Sequence, residues 1–300
     1  MEKHPISLDI SNNEQFFHVC TDGQSNGIVH TSDTDYRQSI VISAISAYLA
    51  GVKILCFCHM SSHSHFVIRC RTAEQARNFA ISFKRDYARY MFIEHGMSMV
   101  YRDVNAKPRE ITDLYYLRNC ISYVLLNPVA ACIVPRPEDY QWSSFNAYFG
   151  GNQIDSGVEP LASMTVREIR ATLRTRHDLK HSGFVIDNQK NLLVSSFVDF
   201  KSVESIFGSR TDFYRSLLMT KSASEEEKYV EIRLKYSDDE LLAEVVNVAA
   251  NKYNVRQLSE LTKEQKRLIA IHLKKKSHAS VSRIARVLRM KAFELRFLKN

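Results

Sequence analysis

The run Cys58-His59-Met60-Ser61-Ser62-His63-Ser64-His65 sets two imidazoles two residues apart, and the apolar, β-branched run Phe66-Val67-Ile68 follows it. In an extended strand, residues i and i+2 face the same side with Cα atoms about 6.5–7 Å apart. His63 and His65 can then reach one cation, because neutral imidazole is a good ligand for divalent metals. The same spacing also fits one surface histidine beside one core histidine. Tyr123 and Asn127 stand four residues apart in a helical pattern, so they share a helix face with Cβ atoms about 6 Å apart. If that face lies against the histidine strand, Asn127 offers an amide oxygen as a third ligand and the Tyr123 phenol stands near the metal. Otherwise the pair is a core tyrosine and a helix-ending asparagine. Together these are the residue types needed to cut a DNA strand with a metal through a covalent protein–DNA bond.

The surrounding pattern supplies elements to position them. Gln15–Cys20 reads as a strand. Asp33 or Asp35 opens a helix to about Ala50, with Ile40, Ala44, Ile45 and Tyr48 inward and Gly51 as its end. A second strand runs from Val52 to Cys58, Met60-Ser61-Ser62 forms a hairpin turn, and a third strand runs from His63 to Cys70. Thr72 and Gln75 form a capping box, opening a helix that stops near Gly96. A fourth short strand is expected at Ser98–Asp103, then a helix from Thr112 to Leu126 that Pro128 ends or kinks. This order predicts an α+β fold: an antiparallel sheet of ferredoxin-like type with helices on one face.

Three hundred residues suggest about two domains. The Gly- and Asn-containing stretch 150–157 is the clearest linker, giving a first domain at 1–150, a mostly helical connecting region at 158–250 and a last segment at 251–300. Charge separates them. Residues 1–150 balance 14 basic against 14 acidic side chains, whereas 251–300 hold 14 basic and 3 acidic. A net +11 over fifty residues points to a polyanion, most simply nucleic acid. Thr262 and Gln265 form a further capping box, and two short helices flanking Arg289-Met290 fit a helix-turn-helix outline. Arg283, Arg286, Lys291, Arg296 and Lys299 are its expected contacts to DNA. A small three-helix bundle without DNA fits the same pattern.

Six cysteines without a disulfide-like ladder, and an N-terminus without a basic-then-apolar leader, lead us to expect reduced thiols and a cytoplasmic protein. The apolar run between Arg37 and Lys53 is too short to span a bilayer, so no membrane partner is expected. Neither a Walker P-loop nor a dinucleotide glycine fingerprint is present.

His63-Ser64-His65, Tyr123 with Asn127, Asn127-Pro-Val-Ala-Ala131 and Asp139-Tyr-Gln-Trp-Ser-Ser144 resemble, in that order, the REP-associated tyrosine transposases, single-tyrosine members of the HUH nuclease superfamily. The resemblance covers about residues 10–150. It implies that His63, His65 and Asn127 hold the metal, that Tyr123 is the nucleophile, and that the partner is single-stranded or hairpin DNA. A monomer or a homodimer is compatible with it. Attack by Tyr123 would give a 5′-phosphotyrosine and a free 3′-OH, and rejoining would need no nucleotide cofactor. Two histidines, an amide, phosphate oxygens and water suit Mg2+ or Mn2+. Ser64 stands where the family has a bulky apolar residue and should point to the sheet's other face. Two alternatives remain. Cys56, Cys58, His59, His63 and His65 would form a zinc site if a tight hairpin at Ser61-Ser62 gathered them. Or the same sheet binds single strands by aromatic stacking, with the basic tail on phosphates and no catalysis.

Overall fold

The computed structural model describes residues 14–21, 28–97, 100–101, 107–150, 157–228, 238–255, 257–277, 279 and 281–298. Its centre is a four-stranded sheet of β1 (Gln15–Cys20), β2 (Lys53–His59), β3 (Ser64–Cys70) and β4 (Arg109–Ile111), in the order β2-β3-β1-β4. Every neighbouring pair is antiparallel. The fourth strand lies later than the sequence pattern suggested. Val100 and Tyr101 form a buried turn instead, and Tyr101 accepts a hydrogen bond from the Thr21 hydroxyl at 3.2 Å. The rest of the expected 98–103 strand lies outside the described residues.

Two helices join these strands. α1 (Asp33–Ala50) begins at Ser32, whose hydroxyl accepts from the Asp35 N–H while the Asp35 carboxylate accepts from the Ser32 N–H. α2 (Ala73–His95) begins with the Thr72–Gln75 capping box read from the sequence. Gly51 and Gly96 end the two helices with φ of 65° and 66°, a conformation that costs little without a Cβ.

Successive side chains of a strand point to opposite faces. Phe66 packs edge-on against Phe79 and Phe83 of α2. Its neighbour His65 meets Tyr123 of α3 (Leu114–Ala130). Helices therefore cover both faces, where the sequence reading had one. α3 runs through Pro128 to Ala130 rather than stopping before it. Pro128 has no N–H to offer the preceding turn, but the helix holds because Ala131 still donates to Asn127 O at 2.9 Å and Ile133 to Pro128 O at 2.9 Å. Asp113 caps its start by accepting from the Tyr116 N–H.

The Tyr140–Ser144 segment closes the open edge of β2. His59 N donates to Trp142 O, Ser144 N donates to Phe57 O, and the Tyr140 hydroxyl donates to His59 O at 2.6 Å. An exposed strand edge is thereby paired. The Trp142 ring stacks on Tyr36 at 4.9 Å.

After the linker come β5 (Glu159–Pro160), α4 (Val166–Leu173), β6 (Val185–Ile186), α5 (Phe200–Phe207) and α6 (Arg210–Lys228). Leu161, Ile169, Leu173, Phe184 and Ile186 pack on Val41, Ala44 and Ile45 of α1. Ile40, Ile42 and Ala47 of the same helix face the main core. A helix apolar on all sides must be buried on all sides. Tyr48, expected inward, is instead half-exposed beside Phe184. α5 and α6 back α3: Arg118 donates twice to Ile206 O at 2.9 and 2.6 Å, and the Ser122 and Ser216 hydroxyls meet at 2.9 Å.

α7 (Asp238–Tyr253), α8 (Lys263–Ser277) and α9 (Val281–Val287) share a separate core with Leu295 and Leu298. α7 runs across the 250/251 boundary expected from charge, because Leu241, Val245 and Ala249 belong to this bundle's interior. Ile28, which precedes α1 in the chain, is buried in the same core. Among the described residues no helix is long and apolar enough to cross a membrane.

Candidate functional site

The α3-facing side of the sheet carries the chemistry. Cys20 lies directly opposite His65 in the β1–β3 register, so both side chains project to one face, with His18 two residues back on the same face. His63 sits just before β3, where Met60 N donates to His63 O at 2.7 Å and closes the tight turn between β2 and β3. The His63 and His65 ring centroids are 4.6 Å apart. The ligand atoms of Cys20, His63 and His65 all lie within 4.8 Å of one another, so these three side chains can hold a metal ion.

Burial sets the charge state of this group. It pushes the imidazoles of His63, to about 3, and of His65, well below the usual value, towards the neutral form. The nearby Arg286 guanidinium adds to both shifts. Burial, then Arg109, lowers His18 as well. Neutral rings present lone pairs, which is the form a cation needs. The His65 ring is held by His18, whose Nε2 lies 3.2 Å from His65 Nδ1 while the two rings stack. The other nitrogen, His65 Nε2, is buried and has no hydrogen-bond partner among the described residues. An unmet buried polar atom is costly, and a ligand to that nitrogen would remove the cost.

Tyr123 is half-exposed, its ring 5.7 Å from that of His65 and 6.2 Å from that of His18. Burial holds its phenol above the usual value, with Cys20 acting in the same sense and Asn127 and Arg286 opposing. Asn127 lies one turn further along α3, and its amide nitrogen donates to Tyr123 O at 2.8 Å. The structure thus brings Tyr123 to the two histidines named from sequence. It adds His18 and Cys20, which sequence reasoning missed. Their signal was the alternation in Gln15–Cys20, which puts Phe16, His18 and Cys20 on one face.

The zinc grouping considered from sequence does not assemble among the described residues. His59 turns to the opposite face, where its Nδ1 lies 2.8 Å from the Ser64 hydroxyl and 3.1 Å from the Ser39 hydroxyl. Cys56 and Cys58 are buried, and burial keeps both thiols protonated. Ser64 points away from the His63–His65 side, as expected.

The expected DNA-contacting residues fare unevenly. Arg283 is 8% exposed, and its Nε donates to the Asp238 carboxylate at 2.8 Å. Arg286 binds the other oxygen of Asp238 at 3.1 Å. Both arginines neutralise a buried acid at the start of α7 instead of lying open to phosphate. Lys291 is exposed, with its ammonium over the Phe293 ring at 5.9 Å. Lys299 and the Arg296 side chain lie outside the description. The segment expected as the second helix of a helix-turn-helix, Ala292–Leu298, is a 3-10 stretch broken at Leu295, where φ is −111°.

These features define an α+β protein whose sheet and neighbouring helix gather histidines, a thiol and a phenol. No family model matches the sequence, and no curated protein does. Among solved structures it is similar to a REP-associated tyrosine transposase bound to a REP hairpin, at 16% identity over 49% of this chain and 84% of that one, with a TM-score of 0.33.

Proposed function

We propose that the protein is a metal-dependent, transposase-like nuclease and strand transferase acting on single-stranded or hairpin DNA, with Tyr123 as the nucleophile. One observation carries the reading: the Tyr123 ring stands 5.7 Å from His65, whose buried Nε2 has no partner, with His63 beside it. The sheet order β2-β3-β1-β4 supports the ferredoxin-like arrangement expected from the sequence. A divalent cation held by His63 and His65, with Asn127 a further candidate ligand and Mg2+ or Mn2+ the expected ions, would polarise a phosphate oxygen and stabilise the charge of the transition state. Tyr123 Oη attacks phosphorus, the P–O3′ bond breaks, the phenolic proton passes to solvent and the leaving 3′ oxygen takes up a proton. The product is a 5′-phosphotyrosine that a second 3′-OH can reverse. A phenol kept protonated by burial needs help to attack, and the Arg286 charge favours the phenolate.

The test is covalency. Incubation with a pool of hairpin single strands and Mg2+ or Mn2+ should give a denaturation-resistant adduct that Tyr123→Phe abolishes. An adduct that persists in Tyr123→Phe removes Tyr123 as nucleophile. No adduct from any strand of the pool favours a non-catalytic binder.

A further inference from the structure

We propose that Cys20 is the third protein ligand of the His63–His65 site, giving a centre of two imidazoles and one thiolate that takes a thiophilic ion of the zinc and cobalt class in preference to Mg2+. The inference rests on the reading of His63 and His65 as metal ligands and changes which ion they serve. Three independent features support it.

The first is register. Cys20 and His65 are direct cross-strand partners, so the sheet itself fixes the two side chains a few ångströms apart on one face. The second is reach. Ligands around a tetrahedral ion with bonds of about 2.0–2.3 Å sit roughly 3.5 Å from one another. The three ligand atoms are already within 4.8 Å of one another, with Cys20 exposed at the strand's end. The third is the open valence: His65 is 4% exposed, and its Nε2 has no partner. If Nδ1–H of His65 donates to His18 Nε2, the lone pair of His65 Nε2 is left for the metal side. A hydrogen bond that fixes the tautomer of a ligand histidine is the usual role of an outer-shell partner.

Donor type then decides the ion. Mg2+ prefers oxygen ligands and keeps its water, whereas thiolate with imidazole suits zinc and its neighbours. Binding converts the Cys20 thiol to thiolate and releases its proton to solvent. Three protein ligands leave a fourth position open, which is the arrangement of catalytic rather than structural zinc centres.

The experiment is titration of the full chain with cobalt(II) chloride, followed by absorption. One cobalt per chain with a thiolate-to-cobalt charge-transfer band is expected. The band should vanish in Cys20→Ser and persist in Cys132→Ser, whose exposed cysteine is outside the ligand group. Zinc chloride should displace the cobalt and Mg2+ should not. Zinc affinity should fall roughly tenfold or more in Cys20→Ser, with the far-ultraviolet circular dichroism unchanged. Cobalt binding without the band, or a band that survives in Cys20→Ser, overturns the proposal. The DNA adduct separates the two readings. A full adduct with Mg2+ in Cys20→Ser would retain the nuclease and discard the thiolate centre. A thiolate band with no adduct would do the reverse.

Discussion

The two faces of the sheet each bury a cluster of histidines and treat them in opposite ways. On the α1/α2 face, His59 and His30 are enclosed by Ser39, Ser43 and Ser64, and His30 Nδ1 is 2.7 Å from Met60 O. Every ring nitrogen there has a partner. On the α3 face, His18 and His65 meet each other, yet His65 Nε2 meets no hydrogen-bond partner among the described residues. The same residue type is structural where serines saturate it and available where one nitrogen is left over. Burial alone would not tell the two apart, since His59 and His65 are both held neutral. The count of satisfied nitrogens does.

Three substitutions or conditions break this comparison, in decreasing order of effect. On the proposed function, His65→Ala should reduce adduct formation by about a hundredfold or more, because a cation held there would contribute several kcal/mol to the transition state. Its stability should fall by less than that of His59→Ala, since only one of its two ring nitrogens, Nδ1, has a partner among the described residues. Adduct yield against melting temperature measures both, and a large stability loss without a loss of adduct would reverse the roles of the two faces. His59→Ala should do the opposite. It strips partners from the buried Ser39, Ser43 and Ser64, at a cost of about 3 kcal/mol in urea unfolding, while adduct yield per folded molecule is kept.

The third is acid. Burial of Asp35 works to raise its pKa, but hydrogen bonds from Thr31, His95 and Tyr90 overcome it and bring the carboxyl down to about 2. The folded value lies below the unfolded one, so this stability is present above pH 4 and is lost as pH falls towards 2. Its size is about 2 kcal/mol. The satisfied face adds an earlier stage. Burial brings His30 down to about 4, so protons favour the unfolded chain once pH drops below its ordinary value. Urea midpoints should decline from about pH 6.5 and go on declining below 4, where Asp35 takes over from His30. Asp35→Asn should remove the lower stage and leave the upper one.

The local features were legible in the sequence. Capping boxes at Thr72 and Thr262 depend on three-residue spacing, and both form. Strand and helix periodicity put His63 with His65 on one face and Tyr123 with Asn127 on another, but that the two faces meet was a condition of that reading, expected only from the resemblance. Cys20 and His18 were not readable, because their place beside His65 depends on a pairing across more than forty residues, which no local spacing encodes. The pairing of Arg283 and Arg286 with Asp238 has the same cause: a basic tail advertises charge, and only the fold reveals an acid buried within it. α1 misled for a different reason. Its uniform apolarity identified a buried helix without saying that residues 161–192 would supply the second wall.

Ile28 is a peg in the helical bundle of the tail, and Arg289 of that bundle clasps its carbonyl at 2.6 Å. The next two residues, Val29 and His30, both donate their N–H groups to Ser61 O, inside the turn that carries His63. Three consecutive residues therefore tether the tail to the histidine turn. A tug on the tail would therefore arrive at Ser61, two residues from His63.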